Sequence, residues 1–239
     1  MNKSTGVINE WATSKDFEFE VLQLAVNYRR YLINEFSPYL RGRILEVGAG
    51  IGQITRELAG LPQVEAVDVL EPELKLYHRL LEQKMNIRCI CGTVDDLDSL
   101  PVYDGIVCVN VLEHIDDHLS ALHKMKQLLK PGGMLCLFVP ACPSIYAPID
   151  RLFGHYRRYT SFELRGLLEK AGFQIDLLCY YNGLGYFAWW MNFCVLKKTS
   201  FEVWTVKFYD GYLLPFVHAW EKKLMRPPLG QSLLVIAKA

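Results

Sequence analysis

The stretch RILEVGAGIGQITREL, Arg43 to Leu58, runs an apolar segment into glycines at 48, 50 and 52, with Glu46 just before them. Glycines at such a corner permit positive φ and let a ligand lie against the backbone. A dinucleotide fingerprint needs G-x-G-x-x-G, but Gln53 stands where its last glycine belongs. A P-loop needs Lys and Ser or Thr after the final glycine, but Gly52 is followed by Gln53 and Ile54. The spacing G-x-G-x-G suits a nucleoside without phosphates. Such a ligand also wants an acid at the end of the next strand, to bond both ribose hydroxyls. Asp68 and Glu71 compete for that role. Asp68 is preferred, because its distance from Gly48 suits a strand–helix–strand unit and an aspartate inside an apolar strand needs a reason. Glu71 is the rival nearer the turn.

Two histidines could move a proton near neutral pH. His114 follows Glu113 in NVLEHID, and His155 sits in FGHYRRYT. His114 reads either as a catalytic group or as a hydrogen-bonding residue at a helix entrance; His155 reads as an acceptor contact. Arg157 and Arg158 follow directly, and paired guanidiniums suit a phosphate or carboxylate on a substrate. The competing reading is a pair of surface arginines capping a loop. Glu113 and His114 could touch a metal, but two adjacent ligands are not a coordination set, so no metal is assigned.

These residues must be positioned by a frame, and the hydrophobic grain supplies one. Apolar runs at 43–47, 64–70, 87–92, 104–110, 134–140 and 173–181 read as strands. Helices are predicted between them: 53–59, with Ile54 and Leu58 four apart; 72–83, with Leu74, Tyr77, His78 and Leu81 on one face; and 116–130, with Leu119, Leu122, Met125 and Leu129. Thr160 with Glu163 makes a capping box that opens a helix through Ala171, ended by Gly172. A further helix spans 18–40, its stripe Leu22, Val26, Tyr31 and Phe36. Alternating strand and helix with near-continuous apolar strands means a mostly parallel sheet covered on both faces. The last segment, 232–239, reads as a strand closing the edge antiparallel. Residues 182–231 are rich in aromatics and read as helical, irregular cover.

Composition narrows the classes. The 239 residues are 51% apolar, which argues against disorder, and Lys plus Arg balances Asp plus Glu at 26 each. That balance offers no broad basic face, so nucleic acid is not expected as the main partner. Seven cysteines without a C-x-x-C pair read as reduced thiols of a cytoplasmic protein. The N-terminus lacks the apolar block of a signal peptide, and the stretch Tyr180 to Leu196 is interrupted and short for a bilayer span. The aromatics Tyr180, Tyr181, Tyr186, Phe187, Trp189, Trp190 and Phe193 form either a pocket wall for a greasy acceptor, touching a membrane surface, or plain core or dimer interface. Oligomeric state is left open.

Taken in order, LEVGAGIG with an acid after the second strand, CGTVDDL, YDGIVCVNVLEHI and LLKPGGMLCLFVP resemble the class I S-adenosylmethionine-dependent methyltransferases over roughly residues 25–180. GHYRRYTSFELRGLLEKAGF (154–173) narrows the likeness to bacterial small-molecule or glycan-associated enzymes. The resemblance implies a doubly wound, mostly parallel Rossmann-like sheet of about seven strands with an antiparallel edge strand. Residues 1–239 then read as a single methyltransferase domain made of a helical cap (1–40), a cofactor-binding core (41–181), an aromatic-rich cover or lid (182–231) and the edge strand (232–239). S-adenosyl-L-methionine is the implied cofactor. Glu46 would take the methionine amine, Gly48 and Gly50 would let the methionine part pass, and Asp68 would hold the ribose. Thr93 and Val94 fall where relatives place an acid and an apolar residue against adenine, so Asp95 or backbone could replace the acid. Asn110 would lie under the sulfonium methyl, and Tyr28 either closes over the cofactor or packs in the core. Some quinone-pathway methyltransferases with similar motifs use metals. The implied reaction is methyl transfer, with oxygen preferred, to a small, anionic or lipid-linked acceptor. The rivals are a nicotinamide oxidoreductase on a related sheet, a non-catalytic cofactor-binding module, and other chemistry on the same cofactor.

Overall fold

The computed structural model describes residues 23–223 and 226–239. One seven-stranded sheet organises them, in the order β3-β2-β1-β4-β5-β7-β6. The strands are β1 (Gly42–Val47), β2 (Val64–Glu71), β3 (Arg88–Cys91), β4 (Tyr103–Val109), β5 (Leu129–Pro140), β6 (Gln174–Tyr181) and β7 (Ser232–Lys238). β1 pairs parallel with β2 and β4, β2 with β3, and β4 with β5; β7 runs antiparallel to both neighbours.

Successive residues of each central strand face opposite layers. Ile44, Val69, Val107 and Phe138 face one apolar layer, against Leu32 and Phe36 of α1 (Val26–Phe36) and Leu58 of α2 (Gln53–Ala59). Leu45, Leu70, Ile106 and Leu137 face the other, against Leu122 and Met125 of α4 (His118–Leu128) and Leu164 and Leu168 of α6 (Ser161–Lys170). Both layers are closed to water, which is why these strands read as unbroken apolar runs rather than alternating ones.

The caps follow local chemistry. Asp117 Oδ1 accepts the Ser120 N–H at 3.0 Å to start α4. At α6, Thr160 Oγ1 accepts from the Glu163 N–H at 3.1 Å, and Glu163 Oε2 accepts from the Thr160 N–H at 3.1 Å. Gly172, at φ +84°, releases the chain into β6.

Three expectations are corrected. β7 is not the edge: it lies between β5 and β6, and β6 takes the edge. Its run Ser232 to Ala237 is buried on both faces, whereas β6 exposes Gln174 and Asp176. In α3 (Leu74–Glu82), Leu76 and Leu80 are buried while Leu74 and Leu81 are exposed, because Leu80 packs against Gly52. A Cβ at Gly52 would lie 2.8 Å from Leu80 Cδ2, so this glycine is needed for the close approach of helix to loop. In α1 the inward residues are Leu32, Ile33 and Phe36, with Val26 exposed; Leu22 lies outside the described residues.

The remaining helices are α5 (Pro148–Phe153), α7 (Gly183–Trp189), α8 (Val203–Phe208) and α9 (Leu214–Lys223). Wider π turns, Trp190–Val195 after α7 and Tyr209–Leu213 between α8 and α9, continue the cover. The Leu214 N–H closes the second on Tyr209 O, and Pro215, which follows, has no N–H to donate to that turn.

Candidate functional site

The carboxyl ends of β1, β2 and β4 meet where the sheet order reverses, the place where open α/β sheets take ligands. A cleft of about 410 Å³ lies there, lined by the glycine loop, Glu46, Glu71, Val94, Asn110 and His114, among others. Gly48 has φ +72°, and a Cβ on it would press on the Val111 side chain, so a larger residue is strained in this turn. Gly50, at φ +55°, donates its N–H to Glu71 Oε2 at 2.6 Å. The Glu73 N–H donates to Glu71 Oε1 at 3.0 Å. The backbone thus fixes the Glu71 carboxylate at the cleft wall, and its remaining lone pairs can accept a diol.

Asp68 does not line this cleft. β2 runs three residues beyond it, so Asp68 sits roughly 10 Å short of the strand end, opposite Leu45. It is 2% exposed and accepts from Arg43 Nη2 at 2.6 Å and from the Tyr103 hydroxyl at 2.9 Å. Burial, with Asp68 as partner, pushes the Tyr103 hydroxyl up to about 12. The reason an apolar strand contains this aspartate is therefore an internal ion pair, and Glu71 occupies the position expected of Asp68.

Glu46 is buried beside the glycine loop, where Oε2 accepts the Thr55 hydroxyl at 2.6 Å. Burial pushes its carboxyl up to about 8, against the Thr55 hydrogen bond and with help from the negative Glu71. Thr93 lines the cleft with its hydroxyl held by Asp96 in the cap of a short 3₁₀ turn, while Val94 and Asp95 line the same end. Asn110 turns the chain off β4 at φ +52°, a conformation asparagine tolerates, and donates its N–H to Phe138 O at 2.8 Å.

A second cavity, about 240 Å³, lies beside the first under the cover. Its walls are mostly apolar: Phe153, Trp189, Phe193, Phe201 and Leu214, with His155 and Arg158 on one side. Tyr28 and Asn110 line both spaces. Tyr28 packs edge-on against Phe138 and Tyr181, and burial raises the affinity of its hydroxyl for the proton. Its backbone N–H donates to Asp210 Oδ1, and that of Asn27 to Asp210 Oδ2, each at 2.9 Å. Asp210 lies on the cover, so a cover residue fixes the start of α1.

His155 is 8% exposed. Its Nδ1 faces Asp150 Oδ1 at 3.0 Å, and its Nε2 lies 3.9 Å from Glu113 Oε1. Asp150 is fully buried and also accepts from Arg158 Nε at 2.8 Å and the Ala147 N–H at 2.8 Å. His114 lies edge-on to His155, with ring centroids 4.8 Å apart, and faces the first cleft. Glu113, His114 and His155 bring ligand atoms within 4.8 Å of one another.

The arginine pair divides. Arg158 lines the second cavity, but its charge is matched by Asp150 and its guanidinium lies over Trp189, 4.4 Å from the ring centroid. Arg157 lines neither space; it donates to Ile115 O, Asp116 O and the His118 ring, clamping a loop. The expected double anion site is absent because adjacent residues in an extended segment point apart. Asp150 was missed by sequence reasoning, although it stands five residues before His155 in PIDRLFGH, where a short helix brings the two together. Asn182 was also missed: at φ 61° its side chain caps α7 and lines the second cavity.

Residues 24–178 match the family model for a methyltransferase domain. Similar proteins include the ubiquinone biosynthesis O-methyltransferases of Xanthomonas axonopodis pv. citri and Xanthomonas oryzae pv. oryzae, 33% and 37% identical over 152 residues. These matches cover 56% of this chain and 63% of each relative, so the chain spans less than two thirds of their length. The fold is shared with the methyltransferase of a Haloferax volcanii complex with the Trm112 activator (TM-score 0.65, 14% identity, 98% of this chain and 99% of that one). It is shared also with an S-adenosylmethionine-dependent methyltransferase of Archaeoglobus fulgidus (TM-score 0.59, 18% identity, 95% and 97%). The name of the Archaeoglobus protein carries S-adenosylmethionine, and the cleft fits such a molecule: glycines open the backbone, Glu46 suits an ammonium, and Glu71 suits a diol. With a model match covering most of its length, the chain belongs to the methyltransferase domain family.

Proposed function

We propose that the protein transfers a methyl group to a hydroxyl oxygen on a small, largely apolar acceptor. The carrying observation is that Tyr28 and Asn110 line both the glycine-loop cleft and the apolar cavity, so ligands in the two spaces meet there. The bound cofactor supplies an electrophilic methyl on a sulfonium. The protein's task is then alignment and exclusion of water. Glu46 would hold the ammonium and Glu71 the ribose diol of S-adenosylmethionine, and Asn110 sets the boundary where the methyl would be presented. Trp189 and Phe193 keep the acceptor side dry.

A hydroxyl nucleophile arrives protonated, so a base is needed. His155 lines the acceptor cavity, and with Nδ1–H donated to Asp150 its Nε2 keeps the lone pair. Asp150 Oδ1, 3.0 Å from Nδ1, and Glu113 Oε1, 3.9 Å from Nε2, flank the ring on its two sides. His114, on the cofactor side, positions the His155 ring. The pairing of Arg158 with Asp150, and the place of Arg157 outside both spaces, favour an apolar acceptor over an anionic one. The names of the Xanthomonas relatives support oxygen as the atom methylated.

The test is transfer from methyl-tritiated cofactor to a panel of phenols with lengthening alkyl tails, matched amines and sugar phosphates. Labelled methyl ethers, formed faster as the tail lengthens, support the reading. Labelling confined to the amines or the sugar phosphates would refute it.

A further inference from the structure

The cover helices are amphipathic the wrong way round for a soluble protein. From α8 through the π turn to α9, Trp204, Phe208, Tyr212, Phe216 and Trp220 recur at every fourth position. They are 67%, 49%, 66%, 77% and 64% exposed, so the stripe points to solvent along its whole length. Residues four apart drift by roughly 40° per step on an α-helix, and the wider π turn at 209–213 offsets part of that drift. A second stripe, Leu184, Phe187, Met191 and Val195, points outward from α7 and its π extension. The inward face holds the acids instead. Asp210 caps α1 through the N–H groups of Asn27 and Tyr28, and Glu221 accepts from the N–H groups of Asn182 at 3.1 Å and Gly183 at 2.7 Å.

Isolated exposed hydrophobes are ordinary, but contiguous aromatic stripes mark an interaction surface. Its charge identifies the partner. Lys197, Lys198, Lys207, Lys222 and Lys223 are exposed along the same segment, 183–223, while two of its three acids, Asp210 and Glu221, are buried. The third, Glu202, is paired with Lys198. A chain of zero formal net charge thus presents a cationic fringe beside its aromatic face. Tryptophans with flanking lysines are the composition of an interfacial helix lying on anionic headgroups. Among the described residues no helix is long and apolar enough to cross a membrane, so the contact is peripheral.

We propose that this cover face, with its two aromatic stripes and lysine fringe, docks on an anionic lipid bilayer. The docking stands apart from the methyl-transfer reading, since it needs neither cofactor nor acceptor.

The full chain is tested by cosedimentation with vesicles of phosphatidylcholine alone and of phosphatidylcholine with phosphatidylglycerol, alongside light scattering for oligomeric state. A Trp204→Ser/Phe216→Ser double variant and a Lys207→Glu/Lys222→Glu variant are compared. Both change exposed side chains, and unchanged cofactor titration confirms that each is folded. Binding to the anionic vesicles should fall at least tenfold in the first variant. It should fall about fivefold per unit of charge, two units for each lysine reversed, in the second, and high salt should weaken it. Equal binding of wild type and the aromatic variant, or equal binding to neutral and anionic vesicles, would overturn the proposal. So would a dimer that the aromatic variant dissolves, with no vesicle binding by the wild type; the face would then be an interface between copies.

Discussion

Replacing Glu46 by glutamine tests the cofactor site through a proton rather than through activity. Burial holds the Glu46 carboxyl at about 8 in the ligand-free protein. At pH 7 such a group is about nine-tenths protonated. An ammonium placed against it favours the carboxylate, so binding at pH 7 expels about 0.9 proton. Affinity should climb close to tenfold per pH unit from about 5.5 to 7.5. It should level off above 8, where Glu46 is already ionised and an α-amine begins to lose its own proton. Calorimetric titration with S-adenosylmethionine in two buffers of different ionisation enthalpy reads the proton directly. In Glu46→Gln the release should vanish and the pH profile should flatten. Stability supplies a second sign. A carboxyl with a raised folded-state pKa binds more protons folded than unfolded between about 4.5 and 8, so its contribution falls as pH rises through that window. Ligand-free Glu46→Gln should therefore melt higher than the wild type at pH 8.5. Equal proton release from both proteins, or none from either, would refute the reasoning.

His155→Gln should lower turnover by about 10² or more with cofactor affinity unchanged, and Asp150→Asn should also lower turnover, because the ring loses the partner that orients it; a loss of cofactor binding in parallel with turnover would count against the base role. Glu71→Gln should weaken cofactor binding at least tenfold, whereas Asp68→Asn should leave binding intact and cost about 1–3 kcal/mol in chemical denaturation, because Arg43 and Tyr103 lose their partner. Gly48→Ala should damage both binding and stability by at least about 1 kcal/mol, since positive φ and the Val111 side chain both oppose a methyl group. Arg157→Ala should leave acceptor KM unchanged and reduce thermal stability, as expected of a loop clamp outside both cavities.

The strands were legible because burial on two faces writes itself into unbroken apolar runs, and α6 was legible because Thr160, Glu163 and Gly172 signal locally. α3 was not, because Leu74, Leu76, Leu80 and Leu81 admit two helical faces, and only the approach of Leu80 to Gly52 chooses between them. Spacing placed an acid after the glycines but could not tell how far β2 would run, so Asp68 was preferred to Glu71. The Asp150–His155 pair depends on a six-residue helix with a turn at Gly154, and the division of Arg157 from Arg158 depends on the partners each meets. Sequence spacing names candidates at such points, but tertiary contact decides among them.

The Asp210 carboxylate, on the cover, holds the first N–H groups of α1, and the second of these belongs to Tyr28 in the wall shared by both spaces. A displacement of the cover would therefore remove an anchor from a residue that lines both spaces. Thermodynamic reciprocity makes such a coupling run both ways: a ligand in one space that raises the affinity of the other is itself held more tightly, by the same factor, when the other is filled. Because one carboxylate ties the cover to the wall both spaces share, the protein should favour one loading order, with the cofactor seated before the acceptor.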